Sequence, residues 1–237
     1  MDFSNIVTIF RREIRSSFNS PVAYVVIIVF LAIIGWFFTS NLFLMNVASL
    51  RIVFELVPII FLFFIPAITM RLLAEERKAG TLELLTTKPV RDVEIVLGKF
   101  LAAWTLLVAA LIPTLLYLIT IMVLGKPEIG PLLTGYLGLL LMGAAYVGIG
   151  LFASSLTENQ IIAFIVAFLI VLGLFMMDKV LMFVPAALAS TVEFLGIDYH
   201  FSNIARGVID SRDIIYFCSL IGFSLMLATV SLERRKW

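Results

Sequence analysis

Residues 71–90 read Arg71-Leu-Leu-Ala-Glu-Glu-Arg-Lys-Ala-Gly-Thr-Leu-Glu-Leu-Leu-Thr-Thr-Lys-Pro-Val90, a charged island between two apolar runs. One run covers 52–70 and the other 100–124, each near the roughly 20 residues a membrane helix needs. The spacing predicts that the first run continues as a charged helix to about Lys78 and that Gly80 then turns the chain sharply. Thr81 is expected to cap a short new helix, with Glu83 in its first turn. Leu82 and Leu85 share one face of that element, and Pro89 ends it. A further helix starts at Asp92, with Val93, Val96, Leu97, Phe100 and Leu101 on one side. A short transverse helix held between two rigid ones would pass a force applied to it into both membrane runs.

Outward from this island the 237-residue chain is 62% apolar and 14% charged, with a mean hydropathy of +1.13. Soluble domains run roughly 45–50% apolar and about 25% charged, so a water-soluble fold is excluded. Six spans can be read, near 22–44, 52–70, 100–124, 132–153, 161–177 and 214–232, giving an all-α membrane protein. Pro58, Pro66 and Pro113 are tolerable as kinks where neighbours satisfy the freed carbonyls. Ala144 with Gly148, and Gly150 with Ser154, allow close helix approach. Ahead of the first span, Phe3, Ile6, Val7, Phe10 and Ile14 recur at helical spacing, with Thr8, Arg11, Arg12 and Arg15 on the other side. Such a helix lies in the headgroup plane, its arginines toward lipid phosphates. Asn19-Ser20-Pro21 breaks it, so residues 1–21 form an interfacial segment.

Orientation follows the distribution of Lys and Arg. Twelve fall on the side of the N-terminus (Arg11, Arg12, Arg15, Arg71, Arg77, Lys78, Lys88, Arg91, Lys99, Arg234, Arg235, Lys236). Five fall opposite (Arg51, Lys126, Lys179, Arg206, Arg212). Both termini and the 71–99 connection are therefore expected in the cytoplasm, and the 178–213 connection outside. Within the latter, Val180–Ser190 is apolar but too short to cross, which suits a re-entrant segment between the fifth and sixth spans. Pro185 interrupts any helix there. Val184, Pro185 and Leu188 are the candidate outer gate, with a face of Ile204, Val208 and Ile209 packing on it or on a second copy.

The chemistry of most enzymes and ion-coupled carriers is missing. The span interiors carry essentially no ionisable side chain, whereas ion-driven carriers keep such groups on their path. Gly98-Lys99 and Gly125-Lys126 lack the earlier glycine of a P-loop, Val93 and Thr120 standing there, and are followed by Phe100 and Pro127 instead of Ser or Thr. Both lysines read as plain membrane-edge residues. Glu75-Glu76 resembles the paired glutamates of abortive-infection-type membrane proteases, but Gly80 stands where the expected arginine would be. His200 is the only histidine, so no histidine pair can hold a metal, and no G-x-S-x-G motif accompanies it; it reads as a loop or interface residue. Cys218 is the only cysteine, which excludes an intrachain disulfide and suggests a small packing residue. A formal charge of +1 gives no reason to expect nucleic acid. A cleaved signal peptide is not expected either, the first apolar run being too long and lacking an A-x-A-like site.

The stretch Glu75-Glu76-Arg77-Lys78-Ala79-Gly80-Thr81-Leu82-Glu83-Leu84-Leu85, with Pro89 and Gly98-Lys99 behind it, resembles the coupling-helix region of ABC-2-type permeases. The resemblance extends over the whole chain, read as one domain of residues 1–237. It implies the six-span fold of that group (type V ABC exporters), with an interfacial N-terminal helix, a cytoplasmic coupling helix and an outer hairpin. The segment Asp198-Tyr-His-Phe-Ser-Asn-Ile-Ala-Arg-Gly-Val-Ile-Asp-Ser-Arg-Asp213 and the end Ser231-Leu-Glu-Arg-Arg-Lys-Trp237 resemble the gliding-motility-associated permeases, and more loosely the nitrous-oxide-reductase maturation permeases. The resemblance implies two permeases, identical or paralogous, in a bacterial inner membrane with two separate ATPase subunits that bind ATP and Mg. An auxiliary subunit with an extracytoplasmic domain often accompanies the gliding-type systems. ATPase coupling would rest on Glu75, Glu76, Gly80, Thr81, Leu82, Glu83, Leu84 and Leu85, and this chain would supply no catalytic residue. The alternatives are a maturation-type or force-transmitting ABC protein without a transported substrate and, less favoured, a membrane-embedded hydrolase.

Overall fold

The computed structural model describes residues 2–44, 49–81, 90–125, 127–181 and 185–234, the side chains of 22 and 186–189 apart. Among them there are helices and no strands. In chain order these are α1 (Phe3–Asn19), α2 (Pro21–Leu44), α3 (Arg51–Thr69), α4 (Arg71–Lys78), α5 (Asp92–Leu111), α6 (Leu115–Leu124), α7 (Ile129–Leu156), α8 (Gln160–Met176), α9 (Ala186–Leu195), α10 (Ile197–Ala205) and α11 (Ser211–Glu233). Five helical segments are long and apolar enough to cross a membrane: Ala23–Leu44, Arg51–Lys78, Asp92–Leu124, Ile129–Leu156 and Ser211–Glu233. The helix at the expected fifth span, α8, has 17 residues and so reaches only about 25 Å. The outer faces of α2, α6 and α8 expose Val25, Ile28, Trp36, Leu116, Val123, Ile161 and Leu169, as a lipid-facing surface does.

The centre of the bundle is α7, which packs against α3, α4, α5, α8, α10 and α11. Its composition explains why. Lipid tails are as apolar as leucine, so helices in a bilayer associate by close van der Waals packing of small residues rather than by escape from water. A Cβ on Gly143 would lie 2.9 Å from Leu107 Cδ1, and one on Gly150 would overlap the Thr69 side chain. Gly150→Val should therefore destabilise the bundle by about 3 kcal/mol through overpacking. Gly222→Ala, with nothing within 4 Å of the new Cβ, should be neutral. Thermal denaturation in detergent compares the two.

Pro113 interrupts the third apolar run as expected. Ile112–Thr114 forms a single 3₁₀ turn between α5 and α6, and Tyr136 Oη donates to the Thr114 carbonyl at 2.9 Å. The hairpin departs from expectation. Pro185 is exposed and stands at the N-cap of α9, which begins only after it; residues 182–184 before it lie outside the described residues. Ile204 is buried, but Val208 and Ile209 are exposed within this chain. The inward face of α10 is instead Ile197, His200, Phe201 and Ile204, because Gly138 of α7 leaves room there for Phe201 and Ile204. Cys218 lies exposed on α11 rather than packed inside.

Candidate functional site

Both flanks of the 71–99 connection meet α1 at one end of the bundle. Gly98 has no side chain, so Ile9 of α1 settles onto α5, its Cγ2 lying 2.7 Å from where a Cβ would be. Ile6 and Ile9 are the buried residues of α1. One helical turn beyond Ile9, on the same face, Glu13 reaches Lys99. The Lys99 side chain is 1% exposed, with its Nζ 3.0 Å from Glu13 Oε1 and 2.9 Å from Glu76 Oε2. The contact to Glu13 is an aligned hydrogen bond, while that to Glu76 is a charge contact without such alignment. Arg12 of α1 pairs with Glu76 and, at 3.2 Å, with Glu13. Two cations and two carboxylates thus join α1, α4 and α5 in one neutral cluster. Its carboxylates are 13% and 15% exposed.

A second tie lies at the start of α5. Glu94 accepts from the backbone N–H groups of Asp2 (2.6 Å) and Arg91 (3.2 Å) and from Asn5 Nδ2 (2.9 Å). One buried carboxylate therefore satisfies orphan donors of two helix starts.

The third tie runs from α4 to α7. Ser154 Oγ accepts from the N–H groups of Leu73 and Ala74, each at 3.1 Å, and donates to the Met70 carbonyl at 2.9 Å. These belong to the α3–α4 junction, so a hydroxyl from another helix satisfies groups left unpaired there. Arg77 adds contacts to the Ser155 carbonyl (Nη1, 3.2 Å) and to Glu158 (Nε, 3.3 Å). The charged helix thus continues to Lys78, braced against α7.

The candidate coupling residues divide between two surroundings. Glu75 is exposed, while Glu76 turns inward to Lys99 and Arg12. Gly80 makes the expected turn with φ of 69°, in the region glycine favours. Thr81 Oγ1 donates back to the Glu76 carbonyl at 3.2 Å, which ties it to the end of α4. Leu82, Glu83, Leu84 and Leu85 lie outside the described residues. Of the arginines, Arg11 and Arg15 stay on the exposed side with Arg12 and line an open hollow of about 590 Å³ with Ser16, Asn19 and Ser20. Of the gate residues, Val184 and the Leu188 side chain lie outside the described residues.

Two residues have roles that periodicity did not reveal. Lys99 is a buried bridge between carboxylates distant in sequence. His200 is fully buried, with Nδ1 2.6 Å from Asp213 Oδ1 and Nε2 2.8 Å from the Phe194 carbonyl. Its ring stacks on Tyr216 at 3.9 Å between centroids. The Phe194 carbonyl can only accept, so Nε2 carries a proton, and the histidine ties α9, α10 and α11 together.

The sequence profile of the ABC-2 family transporter proteins matches residues 44–196. The chain belongs to this family. ABC-2 permeases are membrane subunits, and ATP is hydrolysed in a separate ATPase. The match includes Glu76, Ser154 and Lys99 but not Arg12 or Glu13 of α1. The probable multidrug ABC transporter permease YbhR of Escherichia coli K12, and that of E. coli O157:H7, are each 35% identical over 115 residues. That segment is 48% of this chain and 29% of the relative; the match thus spans under a third of the relatives' length.

Proposed function

We propose that this chain is the permease subunit of an ATP-driven ABC-2 exporter, working as a dimer with a second copy or a paralogue. Separate ATPase subunits, carrying ATP and Mg, dock on the 71–99 connection at the cytoplasmic face of a bacterial inner membrane. The observation that carries this reading is the Arg12–Glu13–Glu76–Lys99 cluster. It gives both flanks of the connection a rigid mount, so that motion of Leu82–Leu85 is delivered to α3 and α5 instead of being lost in a slack loop. Glu75, Gly80 and Thr81 present the connection, and Arg11 and Arg15 rest on lipid phosphates. In this reading α8 is the fifth of six crossing elements, its short length met by local thinning of the bilayer.

Small amphipathic compounds are the proposed cargo, in keeping with the multidrug description of the relatives. The end-of-chain resemblance favours the gliding-motility-associated branch and, with it, an auxiliary subunit at the outer hairpin. Val184, Pro185 and Leu188 remain its proposed gate. Force transmission without cargo is separable by experiment. In proteoliposomes holding permease and ATPase, export requires hydrolysis that rises with an amphipathic substrate and accumulation of that substrate in the lumen of inside-out vesicles. Hydrolysis without any accumulation contradicts it.

The orientation gives a further expected outcome. In a Cys218→Ala background, Ser190→Cys and Ser211→Cys should react with an impermeant thiol reagent applied outside, and Thr87→Cys only after the cytoplasmic side is opened. Ser190 and Ser211 are both exposed. The reverse labelling would invert the proposed topology.

A further inference from the structure

At the end of the bundle opposite the ion-pair cluster, α3, α7, α8 and α10 surround a cavity of about 950 Å³. Its rim is charged and its depth apolar. Arg51 and Glu55 stand on the first turns of α3, Glu128 precedes α7, Lys179 follows α8, and Asp198 and Arg206 bracket α10. Phe54, Ile59, Leu132, Phe175 and Phe201 are among its apolar lining. Ile59 is eight residues beyond Arg51 along α3, about 12 Å deeper, so the wall descends from a headgroup level into an acyl-chain level.

The rim charges differ in how far they are already satisfied. Arg51 Nε lies 2.9 Å from Glu55 Oε1. Lys179 pairs with Asp178 at 2.8 Å and with Asp198. Burial draws the Lys179 pKa down, but these carboxylates outweigh it and hold the ammonium above its ordinary value. Among the described residues, Arg206 and Glu128 have no side-chain partner. They come from adjoining segments: Gly207 sits against Pro131, where a Cβ would be 3.3 Å from the proline Cγ. A cation and a carboxylate, both exposed and unpaired among the described residues, therefore border one cavity without meeting each other.

The chemistry that satisfies both is a ligand with an anionic group, an ammonium and an apolar body. We infer that this cavity binds a zwitterionic phospholipid with a free ammonium, its phosphate on Arg206, its amine on Glu128 and its acyl chains along Phe54, Ile59 and Phe175. A guanidinium grips a phosphate through two parallel hydrogen bonds. Arg51 and Glu55 cancel, and Lys179 with Asp178 and Asp198 leaves one negative charge, which disfavours a net-negative headgroup. Under the orientation proposed above the lipid belongs to the outer leaflet. The binding itself does not depend on ATPase docking.

Native mass spectrometry of the chain released from nanodiscs containing equal phosphatidylethanolamine and phosphatidylglycerol tests this. Retention of phosphatidylethanolamine over phosphatidylglycerol is expected, falling about tenfold in Arg206→Gln and in Glu128→Gln, the loss of one charge-assisted contact. Arg212→Gln, exposed and outside the cavity lining, should retain the lipid. Unaltered binding of the ATPase by the Arg206 and Glu128 variants shows that they remain assembled, so a failure here is distinct from a failure of the permease reading. Equal retention of the two lipids, or retention unchanged in both variants, overturns the inference. Disulfide-linked dimers of Ser202→Cys in the Cys218→Ala background would also overturn it, since a second copy would then cover the cavity.

Discussion

Replacing Lys99 with methionine is expected to lower the stability of the purified protein by about 3–5 kcal/mol, the cost of breaking a buried ion pair by removing one partner. Methionine keeps the apolar length of the side chain but leaves Glu13 and Glu76, at 13% and 15% exposure, facing each other. Arg12 can compensate only in part, because it is half in solvent. For a chain of this size such a loss corresponds to a fall in Tm of about 10 °C, read by thermal denaturation in detergent. Adding Glu13→Gln and Glu76→Gln to the same variant should recover most of the loss, since the stranded charges are then gone. A Lys99→Met protein as stable as the parent would mean that the cluster braces nothing.

The second large effect concerns docking. Leu82→Asp with Leu85→Asp should abolish retention of the ATPase on purification while leaving the Tm of the chain unchanged. Burying an unpaired carboxylate costs several kcal/mol, and two of them weaken association by about 1,000-fold or more. The contrast with Lys99→Met matters: one change loosens the mount and the other removes the contact. Stoichiometric ATPase on the double mutant would contradict the proposed contact.

Most of the architecture was legible in the sequence because membrane helices must be long, apolar and internally hydrogen-bonded. The turn at Gly80, the break at Pro113 and the close approaches at Gly150 and Ser154 followed from single residues with strong local constraints. Which way a helix faces was less legible. Apolar spacing put Phe3, Ile6, Val7, Phe10 and Ile14 on one face of α1, yet Phe3 is 77% exposed, and the buried residues are Ile6 of that face and Ile9 outside it. That rotation is set by Asn5 reaching Glu94 and Glu13 reaching Lys99, contacts between residues 86–89 positions apart that no periodicity encodes. Likewise Val93 and Leu101 share a stripe with Val96 and Phe100 but lie partly exposed on α5, whose packed side takes in Glu94 and Lys99. His200 read as a loop or interface residue, without its partners, because Phe194 and Asp213 meet it only when α9, α10 and α11 fold together.

Photocrosslinking in cells from p-benzoylphenylalanine at Thr81, beside the turn that launches the 82–85 segment, tests the coupling claim most directly. The expected adduct joins this chain to a protein carrying a Walker A motif, in good yield, and is lost in the Leu82→Asp/Leu85→Asp background. Adducts only to lipid, to this chain itself or to proteins without a nucleotide-binding motif would contradict an ATPase seated on the 71–99 connection.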